Sequence, residues 1–317
     1  MPISLFTTLL IAAQFLFPVI AGDVQFTPTL YQQAEQVRAV YLPVELPMLP
    51  ISRDRYPVKN NQENLGPNIT AQSAIAIDFE TGMTLWQKNP ETILPIASLS
   101  KLMTALILMD LDLDWQRQVT IDGEDNATEG ARLKLPTGAE VSLEDVLRAM
   151  LVSSANNATM TLASESGLAL ESFVVKMNEK ATALGCQYTN FEEPTGLSAN
   201  NVSTVNDYAL IARAAFTNEK IRQITIQASH EMETSDGRQI RVYNTDKLIN
   251  NSFLDIKGSK TGYIPEAGYC LTLLSDNQEK NSHTLSVVLN STDLTTRQTD
   301  SEIIHDWTHS NYTWPVN

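Results

Sequence analysis

From Ser73 onward the chain switches between two hydrophobic periods. SAIAIDFETGMTLWQ (73–87) alternates apolar and polar positions on either side of a turn at Gly82, which predicts a β-hairpin. The apolar run from Ser98 to Met109 predicts a helix. SLEDVLRAMLVSS (142–154) opens with Ser142 and an acidic residue three positions on, a capping pattern ahead of apolar residues at helical spacing. SFVVKMNEKATALG (172–185) reads as a helix stopped by Gly185, and STVNDYALIARAAF (203–216) as one capped by Thr204 with Asp207 three residues on. Short β-rich runs follow: RQIRVYN, DIKGSKTGYI, GYCLTLLSD and HTLSVVLNS, separated by turn residues. A helix over about 295–310 closes the chain. Hairpin, helices, strands and terminal helix predict one α/β domain. The late strands should join the early hairpin in a mostly antiparallel sheet flanked by helices, with the helical block as a lobe on one side.

The segments before the hairpin follow neither period. Residues 3–21 form an apolar run without charge, and small residues at Val19 and Ala21 precede Gly22, so residues 1–21 read as a signal peptide or a retained N-terminal anchor. Either form places the rest of the protein outside the cytoplasm, in the periplasm or cell envelope. Membrane contact is then expected only through this N-terminal run. Residues 22–70 carry six prolines and little periodicity, an extended tether or a segment wrapping the domain, which leaves 71–317 as the main folded domain.

The 22 basic and 37 acidic residues give a net charge of −15, which argues against a nucleic-acid partner, because phosphate binding needs a basic surface. The two cysteines, Cys186 and Cys270, are too far apart for a CxxC motif; Cys270 sits in an apolar strand and reads as a buried free thiol. His230 opens HEMET, which lacks the second histidine of a zinc helix. DLDLDW (110–115) begins like a calcium loop but has Trp115 where glycine is needed and Ile121 where glutamate is needed.

The candidate chemistry lies in three short patterns. Ser98 and Lys101 are three residues apart, so a helix starting near Ser98 puts hydroxyl and ammonium on one face beside the partly positive N-terminus. Ser154-Ala155-Asn156 follows an amphipathic helix directly. Lys260-Thr261-Gly262 lies in a strand-like run ahead of a loop with Pro265 and Gly268. Taken singly, Ser98 reads as a helix cap, Lys101 as a snorkelling side chain and Lys260 as a solvated strand charge. In this order the three patterns match the SxxK, SxN and KTG set of penicillin-binding proteins and serine β-lactamases.

With their flanks, over about residues 71–310, they resemble the serine D-alanyl-D-alanine carboxypeptidases, the low-molecular-mass penicillin-binding proteins of peptidase family S11. The resemblance implies the β-lactamase/transpeptidase-like fold and an enzyme without a cofactor. It would act on peptidoglycan stem peptides, with β-lactam antibiotics as inhibitors. It implies that Ser98 attacks, that Lys101 takes its proton and that Ser154 returns it to the leaving amine. Asn156 would hold Lys101 and contact the substrate amide, and Lys260 and Thr261 would bind the terminal carboxylate. Gly262 would leave room for substrate along the strand, with the backbone N–H groups of Ser98 and Tyr263 as oxyanion hole. Three positions depart from the usual pattern: Ala155, Asn157 and Tyr263. The chain ends soon after its terminal helix, so the extra C-terminal β-domain and membrane-binding helix of some relatives are expected to be absent. A D,D-endopeptidase and a serine β-lactamase share the motifs. For the latter, Glu193 in EEPTGLSANN stands where a deacylating glutamate is sought, without the expected asparagine spacing. A non-catalytic wall-binding protein of this fold is the remaining alternative.

Overall fold

The computed structural model describes residues 56–121, 125, 127–136, 138–250, 253–277, 279 and 281–315. The N-terminal apolar run and most of the proline-rich stretch lie outside them. No described helix is long and apolar enough to cross a membrane.

A five-stranded antiparallel sheet is the frame. The hairpin supplies β1 (Ser73–Asp78) and β2 (Thr84–Lys88). Three long strands come from the C-terminal part: β3 (Asp255–Ile264), β4 (Gly268–Asn277) and β5 (Ser282–Ser291). Their spatial order is β3-β4-β5-β1-β2, so the late strands extend the early hairpin, with Val287 opposite Ile75 and Leu285 opposite Ile77. β3, which carries Lys260-Thr261-Gly262, is therefore an edge strand.

Both faces of β1 are covered, and all six of its residues are buried. Ile75 and Ile77 pack into the large core shared with the helical lobe, whereas Ala74 and Ala76 face a second core with Leu85, Val288, Ile304, Tyr312 and Trp314. The alternation here is one of bulk rather than polarity, as expected of a strand buried on both sides.

The lobe consists of α1 (Ser100–Met109), α2 (Leu143–Val152), α3 (Asn156–Ser164), α4 (Leu170–Ala183), α5 (Val205–Thr217) and α6 (Glu219–Thr225). The terminal helix α7 (Leu294–Asn311) covers the opposite face of the sheet. Residues 100 to 108 of α1 are all buried, so it is a central helix enclosed on every side. The predicted caps form: Ser142 accepts from Asp145 N at 3.1 Å, and Thr204 accepts from Asp207 N at 3.1 Å. Gly185 follows α4 with φ +95°, the left-handed residue that ends it.

Three elements had no clear pattern. α3 reads NNATMTLAS, in which Asn, Thr and Ser offset Ala, Met and Leu, and is anchored by tertiary bonds: Asn157 accepts from Leu133 N at 2.8 Å and donates to Leu133 O at 2.9 Å. α6 and the strand Ser229–Glu233 are short. His230, on that strand, bonds Asp145 at 2.7 Å through Nε2.

Outside the sheet, the strand pair Val58–Lys59 and Tyr312–Thr313 ties the residues before the hairpin to the chain's end. Buried Asp300 accepts from Thr70 N at 2.8 Å, Ala71 N at 2.9 Å and the Ser291 hydroxyl at 2.9 Å, so its charge is well solvated by the protein. Both cysteines are free, and burial pushes their thiols up, Cys186 to about 12 and Cys270 to about 11. Burial also holds His305 of α7 neutral, with its pKa pushed down to about 3, between the hydroxyls of Ser275 and Ser286.

Candidate active site

Ser98 belongs to a tight 3₁₀ turn, Ala97–Leu99, that runs into α1 at Ser100, rather than to the first α-helical turn. A residue and its third neighbour nearly eclipse one another in such a turn, which keeps Ser98 and Lys101 on one face. The turn is strained at Ala97, which has φ +48°, and Ser154 is strained in the same sense at φ +60°. A left-handed alanine or serine persists only where its surroundings over-determine it.

Those surroundings are visible. Ser100 Oγ donates to Ala97 O at 2.9 Å, Asn201 Nδ2 donates to Ser100 Oγ at 3.0 Å, and Ile96 N donates to Asn201 O at 2.9 Å. Gly196 lies so close that a Cβ there would sit 1.9 Å from Ala97 O. From the β3 side, a Cβ on Gly262 would meet Ile96 O at 2.9 Å and Ser98 N at 3.2 Å. The turn is thus gripped by two backbone approaches that tolerate only glycine.

Lys101 is fully buried at 0 % exposure. Its Nζ contacts Ser98 Oγ at 2.9 Å, Asn156 Oδ1 at 2.7 Å and Thr195 O at 2.6 Å. Burial pushes its pKa from 10.5 down to about 7, while the Glu193 carboxylate pulls in the opposite direction. As an ammonium it donates to all three oxygens. As a neutral amine it keeps two donors, enough for Asn156 and Thr195, and turns its lone pair to the Ser98 hydroxyl.

A second serine–lysine pair faces the first. Lys260 Nζ donates to Ser154 Oγ at 2.9 Å and to Thr261 O at 2.9 Å. Burial pushes its pKa well below the usual lysine range, Lys101 and Arg297 push the same way, and Asp246 opposes them. Buried Asp246 accepts from the Ser259 hydroxyl and from Leu248 N at 2.9 Å. The Thr261 hydroxyl shares a hydrogen bond of 2.6 Å with Thr245, whose N–H reaches Val152 O at 3.1 Å, just ahead of Ser154.

The structure thus brings Ser98, Lys101, Ser154, Asn156, Lys260, Thr261 and Gly262 into one cluster. Asn156 is buried, with one Nδ2 hydrogen bond to Glu129 O at 2.7 Å while Oδ1 holds Lys101. Tyr263 is half exposed, its ring stacked on Tyr269 with centroids 4.5 Å apart.

One member had no signal in the sequence. Arg297 of α7 is 3 % exposed, lies over the Tyr269 ring at 5.9 Å and reaches Cys270 O only at 3.5 Å. Its Nε is buried without a hydrogen-bond partner. The Arg297 guanidinium beside Lys260, whose charged form burial disfavours and Asp246 favours, forms a region that an anion would satisfy. A lone arginine on a polar terminal helix gives no hint of this, because only the β3-β4-β5 order carries α7 to the site.

Residues 59–293 match the peptidase S11 family, described as D-alanyl-D-alanine carboxypeptidase. The chain is 37 % identical over 221 residues to a D-alanyl-D-alanine endopeptidase of Pseudomonas aeruginosa, covering 66 % of this chain and 68 % of that one. It is 30 % identical over 247 residues to the D-alanyl-D-alanine carboxypeptidase DacF of Bacillus subtilis, covering 76 % and 63 % respectively. The crystal structure of the Streptomyces K15 DD-transpeptidase superposes with a TM-score of 0.73 at 27 % identity, over 77 % of this chain and 99 % of that one.

Proposed function

The chain belongs to the D-alanyl-D-alanine carboxypeptidase family of serine peptidases, and from that membership we propose that it removes the terminal D-alanine of peptidoglycan stem peptides through an acyl-enzyme on Ser98. The observation that carries the reading is Lys101, buried, 2.9 Å from the Ser98 hydroxyl and with its pKa pushed down to about 7. A serine hydroxyl needs a base, and an amine near neutrality is one.

In this reading neutral Lys101 takes the Ser98 proton as Oγ attacks the carbonyl carbon of the penultimate D-alanine. The backbone N–H groups of Ser98 and Tyr263 receive the oxyanion. Gly262 supports this role, since it is what lets β3 approach Ser98 N so closely. Ser154, bonded to Lys260, relays the proton taken up by Lys101 to the leaving amine, the C–N bond breaks and D-alanine departs, leaving Lys101 neutral. Water then attacks the ester, giving a proton to Lys101 that returns to Ser98 Oγ as the shortened peptide is released. Substrate lies along the edge strand β3, an open template for an extended peptide. Its terminal carboxylate is bound by Lys260 and Thr261, and Arg297 joins them. No step calls for a cofactor. Penicillins acylate the same Ser98.

A D,D-endopeptidase uses the same centre on an internal bond, and the name of the Pseudomonas aeruginosa relative favours it. The cationic carboxylate pocket favours the carboxypeptidase. For the β-lactamase reading, a glutamate free to activate water is needed, and both oxygens of Glu193 are taken up by donors of its own loop. Slow release of a penicilloyl group follows. The substrate is an external wall polymer, so the N-terminal apolar run serves for export, as a cleaved signal or a retained anchor.

The test compares kcat/KM for one peptide ending in D-Ala-D-Ala with its C-terminal amide. The carboxypeptidase cleaves the free acid at least tenfold faster, given about 2–5 kcal/mol for losing one partner of a buried charge pair. Equal values move the assignment to the endopeptidase.

A further inference from the structure

The loop 192–201 is built around one carboxylate. Glu193 Oε2 accepts from Thr195 N at 2.6 Å and Thr195 Oγ1 at 2.5 Å, and Oε1 accepts from Gly196 N at 2.6 Å, Ser198 N at 3.3 Å and Asn201 Nδ2 at 3.2 Å. The backbone N–H groups of Thr195, Gly196 and Ser198 are thereby gathered onto one side chain. The product is a single aimed group, the Thr195 carbonyl, 2.6 Å from Lys101 Nζ. The preceding carbonyl, of Pro194, accepts from Thr104 Oγ1 of α1 at 2.7 Å, and Asn201 links Glu193 to Ser100 at the start of α1. The loop is thus fastened to the helix that carries Lys101 at both ends of its first turn.

We propose that Glu193 is a positioning residue for the acylation step, folding its loop so that the Thr195 carbonyl is aimed at Lys101; this rests on Lys101 being the base. Thr195 O is one of two acceptors that hold the amine when it is neutral, so it decides where the lone pair points. If that acceptor swings away, Lys101 is free to rotate off Ser98.

The electrostatic part has a definite sign. The groups facing Lys101 are Glu193 from the loop, Lys260 from β3, and the neutral Asn156 from α3; Asp246 and Arg297 stand behind Lys260. Glu193 is the negative charge among them that acts on Lys101 directly, and it raises the pKa that burial lowers. Removing the charge lets the pKa fall further. Lys101 is then neutral at lower pH, but it is also a weaker base.

The test uses Glu193→Gln and Glu193→Asp in the full chain, with the rate of penicillin acylation followed by intact mass from pH 5 to 9. Thermal midpoints identify any variant that fails to fold. In Glu193→Gln the acid limb should move to lower pH and the plateau should fall on the order of tenfold to a hundredfold, as expected for a misplaced reacting group. Glu193→Asp keeps the charge and should keep the position of the limb while losing plateau rate through its shorter reach. A Glu193→Gln variant that keeps the native plateau rate means that the Thr195 carbonyl is aimed without Glu193 and overturns the proposal. So does normal acylation with blocked release of the adduct, since that makes Glu193 a deacylating base. A native enzyme with no acid limb at all fails the Lys101 reading itself, a result distinct from either.

Discussion

Two serine–lysine pairs meet at the centre of this molecule, each at 2.9 Å, and they are not alike. Ser98–Lys101 is local: a 3₁₀ turn and the first turn of α1 set it, and its opposing charge is Glu193. Ser154–Lys260 is long-range: a strained serine after α2 meets an edge strand, with Arg297 as a second cation and Asp246 as counter-charge. Each lysine is buried, and burial is the first cause of its lowered pKa. The neighbours differ. Lys101 has oxygen acceptors arranged to hold a neutral amine, which suits a base. Lys260 is pushed toward its neutral form by burial and by the Arg297 guanidinium beside it, so an anion bound there restores its charge, which suits a carboxylate pocket. When a substrate carboxylate arrives, it favours the charged form of Lys260, so binding sharpens the contrast between the two lysines.

The largest effect should come from breaking the first pair without emptying its space. Lys101→Arg keeps a cation and its donors but cannot accept a proton. Acylation should fall about a hundredfold to ten-thousandfold, the usual contribution of a general base. In the native enzyme the acylation rate should rise with pH through about 7, where Lys101 passes from ammonium to amine. That limb should be missing in the arginine variant. Acylation by the variant at near-native rate assigns the base elsewhere.

The second pair should respond differently. Lys260→Ala should lower kcat/KM for the free D-Ala-D-Ala peptide at least tenfold, following the about 2–5 kcal/mol of a broken buried charge pair. The amidated peptide should lose much less, so the ratio between the two peptides collapses. An equal loss for both peptides would make Lys260 a proton-handling group like Lys101 and remove the difference between the two pairs.

The same contrast explains what was legible in the sequence. A hairpin, capped helices and β-rich runs follow from periodicity and caps that act within a few residues, and Ser98–Lys101 is a spacing of that kind. Ser154–Lys260 is joined only when β3 takes the sheet edge, so its reading depended on family resemblance rather than on spacing. Arg297 is invisible for the same reason, since none of the three sequence patterns includes it. α3 was missed because Asn157 and the backbone of Leu133 stabilise it from outside its own residues. The 3₁₀ turn at Ala97 was missed because alanine advertises no left-handed backbone; the grip of Gly196 and Gly262 imposes it. Glu193 was legible as an acidic residue in a loop, but its oxygens' direction depends on how that loop folds.

The central claim is that Ser98, and no other nucleophile, forms the acyl-enzyme. Purified protein should be incubated with penicillin and weighed intact, beside Ser98→Ala. The native chain should gain the mass of one penicilloyl group, located on Ser98 by peptide mapping, and Ser98→Ala should gain none. A penicilloyl adduct of equal yield on the alanine variant would contradict the account.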